Sequence, residues 1–358
     1  MKKLLQFRFV LVLIAALSFN AFSYAQLDQI GKFMAAGAED ATTLITPYIS
    51  PAVNAFGAAL GGGWYNTAGT HELGGFDLTF TINAAFSPKE NNTFLVDNAQ
   101  LNYLQLDDPA DNVSPTVTGP KEDGPLMVFD LGGFTEPAFI MPQGLNSNMV
   151  PTPMIQAGIG LIKGTEVMVR YLPNFKIRGN EIGLWGLGGK HDIKQWIPGL
   201  KKVPVLQISL MYGYTKLHTY VNMDIGPESI GAETLPGAGS SDWDNQRLKL
   251  VSKSQTANLL VAANLPVVCF YGGVGFVTTK TNLKLEGDYP VVYLDDITPS
   301  VMAMTDPIDI EIKNQDGGLT KPRLNAGVRL KLAVITIHFD YSWANYSVLT
   351  GGLGVSFR

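Results

Sequence analysis

From Phe76 to Phe86 the chain alternates without a break. Phe76, Leu78, Phe80, Ile82, Ala84 and Phe86 fall on one face, and Asp77, Thr79, Thr81, Asn83 and Ala85 on the other. A period of two sustained this long is a strand with one apolar face. It also matches the span of about 9 to 11 residues that a tilted strand needs to cross a bilayer, which exceeds the usual soluble strand. The pattern recurs. Val167, Val169 and Tyr171 stand opposite Glu166, Met168 and Arg170, while Leu206, Ile208, Leu210, Tyr212 and Tyr214 stand opposite Gln207, Ser209, Met211, Gly213 and Thr215. Leu324, Ala326, Val328, Leu330 and Leu332 face away from Asn325, Arg329 and Lys331, and Thr336, His338, Asp340 and Ser342 share the polar side of a further strand.

A soluble β-sandwich alternates too, with its apolar face inward. Connection lengths separate the two architectures, because transmembrane barrels succeed short periplasmic turns with long outer loops. Counted back from the C-terminus, residues 348–357 run down, 335–342 up, 322–332 down, 267–285 up, 247–263 down, 203–221 up and 182–191 down. The connections near 333, at 264–266 and at 193–198 then lie on the periplasmic side, and the long ones at 222–246 and 286–318 lie outside. A sandwich gives no reason for that parity. The expected fold is an all-β, antiparallel transmembrane barrel of roughly 12 to 14 strands.

Composition agrees: 46% of residues are hydrophobic and only 16% charged, and 38 Gly with 21 Pro supply turns while interrupting long helices. Residues 254–279 carry no charge and invite a membrane-helix reading. Asn258, Asn264 and Pro266 interrupt that run, and its second half is β-branched, aromatic and Gly-rich, so it reads as two strands joined at Asn264-Leu265-Pro266.

Residues 1–25 have the layout of a secretory leader: Lys2, Lys3 and Arg8, an apolar run, then Ser23-Tyr24-Ala25 as a small-residue cleavage site. The mature chain is expected to begin near Gln26 in the outer membrane, and with no Cys after the site the lipoprotein route is closed. Within 26–60, Ile30, Phe33, Met34, Ala41, Leu44 and Ile45 follow helical spacing, and Ser50 before Pro51 caps a second short helix that carries Phe56. These helices form either a plug inside the barrel, contacting it through Ile30, Phe33, Met34, Leu44 and Phe56, or a periplasmic arm packed under it. Residues 61–358 make the barrel. The stretch 107–153, rich in Pro, Gly and Asp, yields no strand assignment.

The net charge of −5 becomes more negative once the leader is removed, which speaks against a nucleic-acid partner. Cys269 stands alone in an apolar stretch and reads as a plain buried or lipid-facing thiol. His71, His191, His218 and His338 show no metal-binding spacing, and Gly183 to Lys190 fails as a phosphate loop because Leu184 and His191 occupy required positions. No metal, cofactor or catalytic residue is expected. Thr336, His338, Asp340 and Ser342 lie about 7 Å apart at period two, which suits a lumen hydrogen-bond ladder better than a nucleophile–base pair. Charge facing lipid costs about 2 to 4 kcal/mol at the midplane. Arg170, Arg329 and Lys331 therefore belong to the lumen wall, with Glu166, Gln207, Ser209, Asn325, His338 and Asp340. There the cations either pair with Glu166 or Asp340 or hold the carboxylate or sulfonate of an amphipathic solute. Acidic residues collect in the outer connections 222–246 and 286–318, as solvated loops or as a divalent-cation surface.

The ending Gly351-Gly352-Leu353-Gly354-Val355-Ser356-Phe357 resembles the terminal strand of Gram-negative outer-membrane barrels, although Arg358 departs from the usual final aromatic. That resemblance implies insertion by the barrel-assembly machinery. Gly61-Gly-Gly-Trp-Tyr-Asn-Thr-Ala68, Gly75-Phe-Asp-Leu-Thr79 and Lys190-His-Asp-Ile-Lys-Gln-Trp-Ile-Pro-Gly199 are similar to an uncharacterised family of such barrels. More distantly, a plug-like segment followed by a barrel resembles the long-chain fatty-acid transporter family, which implies uptake of hydrophobic molecules. Its Asn-Pro-Ala hatch motif is not found, so none of its ligand contacts carry over. The expected function is passive uptake of small hydrophobic or amphipathic molecules by a barrel surrounded by membrane lipid. A structural or partner-anchoring barrel and an outer-membrane lipid hydrolase are the alternatives.

Overall fold

The computed structural model describes residues 33–34, 37–130, 135–177, 179–241, 243, 245–295, 298–313 and 321–357. Among these, ten strands close into a ring: β1 (Phe76–Phe86), β2 (Met149–Leu161), β3 (Thr165–Ile177), β4 (Asn180–Asp192), β5 (Leu206–Asn222), β6 (Arg247–Asn264), β7 (Val268–Glu286), β8 (Lys321–Leu332), β9 (Ile335–Trp343) and β10 (Ser347–Phe357). Every neighbouring pair is antiparallel. β1 closes the ring on β10 with Phe76 opposite Phe357, and the uncharged run forms the β6–β7 hairpin with Asn264 opposite Cys269. No described helix is long and apolar enough to cross a membrane.

The number of strands is ten, below the 12 to 14 expected. The difference lies in residues 87–148, whose strands Thr93–Leu95, Leu104–Leu106, Val113–Pro115, Leu126–Asp130 and Thr135–Ile140 pair only among themselves. They are too short to cross a bilayer. The hairpin Asp288–Asp295 with Thr298–Thr305 is likewise outside the ring. One end of the barrel carries the connections 162–164, 193–205, 265–267 and 333–334, and the other carries 87–148, 223–246 and 287–320. The former is the periplasmic end of an outer-membrane barrel.

Burial settles the choice between barrel and sandwich. Leu78, Ile82, Val169, Leu187, Leu210, Val261, Phe270, Val274, Leu324, Phe339 and Leu353 are exposed, whereas Thr79, Thr81, Asn83, Arg170, Thr215, Ser254, Asn325, Asp340 and Thr350 are buried. The apolar face points out and the polar face in, as a lipid solvent requires. Aromatic pairs sit at both edges of this apolar belt: Phe76 stacks on Phe357 at 4.9 Å, and Tyr341 meets Trp343 at 5.0 Å.

The helix α1 (Gly37–Leu60) lies within the lumen, not beneath it. It runs unbroken through Pro47 and Pro51, where two helices were expected. Ser50 is not a cap. Its hydroxyl and that of Thr46 donate back one turn, to Thr46 O and Thr42 O, and Val117 N donates to Tyr48 O. These bonds support the stretch from which the prolines remove two helical N–H donors. Around the helix, Ala41, Leu44, Ile45, Tyr48 and Ile49 join Leu104, Met127, Ile225, Leu283, Tyr289 and Ile310 in one apolar cluster at the outer mouth of the barrel, its members beyond the helix coming mostly from the outer connections. Asp40, fully buried, accepts from the backbone N–H of Asn102, Tyr103 and Leu104 at 2.8 to 3.0 Å, tying the 87–148 extension to the start of the helix. Phe33 packs on Tyr48 and Phe139, Met34 and Leu44 are buried, Phe56 is partly buried, and Ile30 lies outside the described residues.

Candidate functional site

The C-terminus of α1 ends in mid-lumen, where its last carbonyls have no helical partners. The wall supplies them. Asn83 of β1 donates to Ala59 O at 2.9 Å, Arg170 of β3 to Leu60 O at 2.9 Å and Gly62 O at 2.6 Å, and Arg323 of β8 to Gly61 O at 2.8 Å. Three strands spread around the ring thus hold one helix end, and the two guanidinium groups oppose the negative pole of its dipole. Arg170 also donates from Nε to Gln156 and lies 3.8 Å over the Trp64 ring.

Residues 61–75 then descend the lumen without regular structure and borrow hydrogen bonds from the wall. Gln156 donates to Trp64 O at 3.1 Å, Ser209 to Ala68 O, and Gly74 N to Gly160 O at 3.0 Å. Trp64 is accommodated because β4 and β5 carry glycines beside it: a Cβ at Gly188 or Gly213 would approach the indole to 2.6 or 2.5 Å.

Below Trp64 and Tyr65 lies a chamber of about 660 Å³ that reaches the short-turn end at Val205, Leu265 and Val267. Its charged lining comes from the descending segment, with His71 and Glu72, and from Asp77 of β1, Glu166 of β3, Lys190 of β4, and Arg329 and Lys331 of β8. Glu166 meets Lys190 Nζ at 3.2 Å and accepts from His71 N at 3.1 Å. Asp77 accepts from Thr79 at 2.9 Å and contacts His71 Nε2 at 3.1 Å. His71, Asp77 and Glu166 bring one ligand atom each within 4.8 Å, the one such trio among the described residues. Lys190 and the His71 ring already engage the two carboxylates.

Of the residues singled out from sequence, Glu166, Gln207, Arg329 and Lys331 line the chamber. Ser209 and Arg170 serve the inserted chain. Asp340 accepts from Tyr271 at 2.9 Å and Asn325 at 2.7 Å, and Ser342 accepts from Arg323 and Asn325. His338 is buried, with neither ring nitrogen in a hydrogen bond among the described residues, while Asp340 and Ser342 belong to a wall network. Arg170 pairs with backbone carbonyls, not with Glu166 or Asp340.

Arg323, Lys190, His71, Asp77 and Trp64 are not among the lumen residues that the sequence reading assigns. Arg323 shares the face of Asn325, Arg329 and Lys331, and extending that alternation by one step finds it. Lys190 hides in a Gly-rich strand whose phase few apolar residues define. Cys269 faces the lumen and donates to Thr67 Oγ1 at 3.4 Å, so the lipid-facing alternative does not hold. In the outer connections, Glu286 meets Arg247 and Lys249, Asp306 meets Lys284, and Glu311 meets Lys280 and Lys313. These partners sit mostly on β6 and β7, outside the connections themselves.

A closed antiparallel ring with an apolar exterior, a polar lumen and an internal helix defines an outer-membrane β-barrel. The chain belongs to the DUF6588 family, described as a family of unknown function, whose profile matches residues 1–357. No curated protein matches the sequence. Among solved structures, it is similar to the attachment invasion locus protein Ail of Yersinia pestis, at 8% identity over 80% of this chain and 99% of that one, with a TM-score of 0.27. It is similar to the outer membrane protease OmpT of Escherichia coli, at 7% identity over 79% and 97% with a TM-score of 0.32, and to the toluene transporter TodX of Pseudomonas putida, at 7% over 79% and 89% with a TM-score of 0.24.

Proposed function

We propose that this barrel is a gated outer-membrane conduit for small amphipathic molecules, with α1 and residues 61–75 as the movable plug. The observation that carries this reading is the chamber of about 660 Å³ kept in the periplasmic half of the lumen. Barrels of about eight strands fill their interior with side chains. A purely structural barrel of ten has no need of such a space, and its volume falls within the roughly 300 to 1,000 Å³ typical of small-molecule sites. The chamber mixes charged groups with apolar ones, which favours an amphipathic solute over a purely hydrophobic one. In this reading the leader directs export, β10 with Phe357 addresses the barrel-assembly machinery, and no residue is catalytic.

Conductance of the full chain in planar bilayers tests the plug. Deleting residues 27–45 removes the outer apolar anchor and is expected to raise single-channel conductance above a nearly closed baseline. An unchanged baseline, with a barrel that still resists denaturation, removes the gate. It would leave a structural or partner-anchoring barrel, to which the extension docked through Asp40 is suited.

A further inference from the structure

Two cations of the chamber form no direct ion pair among the described residues. Arg329 is 8% exposed, and its Nε has no hydrogen-bond partner among the described residues. Among those residues no carboxylate lies within 4.0 Å of Arg329 or Lys331; Asp77 and Glu166, which act on Arg329 at longer range, make their direct contacts with His71 and Lys190. Arg329 and Lys331 occupy the same face of β8, about 7 Å apart. Thr336 of β9 stands opposite Lys331 in register, and Ser356 of β10, 2% exposed, also has an unpartnered hydroxyl. All four line the chamber. One wall therefore offers a guanidinium, an ammonium and two hydroxyls with no carboxylate in direct contact among the described residues, and a buried guanidinium without a close anion is costly.

We propose that this wall binds the carboxylate head of a small amphipathic molecule whose apolar tail lies along Val205, Leu265 and Val267 at the periplasmic mouth. The planar guanidinium matches a carboxylate in geometry, and Lys331 adds a second positive charge where a head group must shed water. The tail has a surface to meet: Val205, Leu265 and Val267 are 38%, 46% and 49% exposed. This inference rests on the conduit reading for its biological meaning, but binding at equilibrium requires no flux.

The test is calorimetric titration of the full chain in neutral maltoside micelles with octanoate, octanol and inorganic phosphate. Octanoate is expected to bind about tenfold or more tightly than octanol, the difference a charged hydrogen bond makes. Arg329→Gln and Lys331→Gln should each remove most of that difference, whereas Lys313→Gln at the outer end should not. Equal binding of octanoate and octanol, or octanoate binding unchanged in both chamber variants, overturns the proposal. Phosphate binding that matches octanoate and depends on Arg329 overturns the amphipathic class in favour of a plain oxyanion site. If Arg329→Gln does not fold, Arg329→Lys and Lys331→Gln carry the same comparison. A barrel that binds octanoate and conducts nothing keeps this site and loses the conduit.

Discussion

The two halves of the barrel are built from the same ten strands and yet hold different fillings. At the outer end α1 packs into an apolar cluster, and the periplasmic half holds a charged chamber around residues 61–75. The cause is the chain that threads them. A helix satisfies its own backbone except at its ends, so the wall has to serve the backbone of α1 chiefly where the helix stops, through Asn83, Arg170 and Arg323. The irregular segment makes few hydrogen bonds of its own, Gly75 N to Glu72 O and Gly69 N to Thr67 Oγ1 among them. It must find a donor or acceptor every few residues, and Gln156, Ser209, Glu166 and Gly160 are those partners. A lumen wall is thus complementary to the backbone needs of its filling.

The junction of the halves should be the most sensitive point. Arg170→Met leaves Leu60 O and Gly62 O buried without a donor, at about 1 to 3 kcal/mol each. The temperature at which the folded barrel loses its compact gel mobility should fall markedly, and a protease should cut near 60–63. Arg170→Lys should restore little, since one ammonium cannot reach both carbonyls and Gln156 together. A variant as heat-resistant as the parent would show that apolar packing alone holds the helix.

A second, smaller effect is expected just below. Gly213→Leu drives a side chain into the indole of Trp64 and should cost about 1 to 3 kcal/mol by overpacking. The double variant with Trp64→Ala should recover part of that loss in urea unfolding from micelles. No recovery would mean that Gly213 answers to the strand and not to the threaded chain.

These two sites also show what was legible beforehand. Alternation exposed the barrel, because in lipid every strand must turn one apolar face outward, and the strand ends at 76–86, 247–263 and 335–342 match the structure within a residue or so. The lumen side carries no such constraint. Arg170 was readable as inward-facing, but its partners are carbonyls of residues 60 and 62, more than a hundred positions away, and no spacing rule encodes that. The glycines of 183–190 looked like a failed phosphate loop, when Gly186 and Gly188 make room for Arg170 and Trp64. The His71–Asp77–Glu166 trio was invisible for the same reason: His71 has no strand of its own to give it a phase.

The smallest effect separates the rim from the apolar cluster around α1. Strand Asp309–Lys313 lies along the outer part of β7, with Glu311 between Lys280 and Lys313. Hydrogen bonds from these two ammonium groups hold the Glu311 carboxyl down at about 2, against an ordinary value of 4.5. A lowered folded value means the clip contributes fully above about pH 4.5 and is lost as the pH falls through about 2. The carboxyl carbon resonance of Glu311 should therefore titrate near 2, and protease cleavage within 309–313 should rise only in that range. If the apolar cluster is what holds α1, the helix stays protected while the rim loosens. Simultaneous release of both would mean that surface ion pairs, worth little in isolation, act here as one unit with the plug, and the division of the barrel into a packed outer end and a charged chamber would have to be redrawn at the rim.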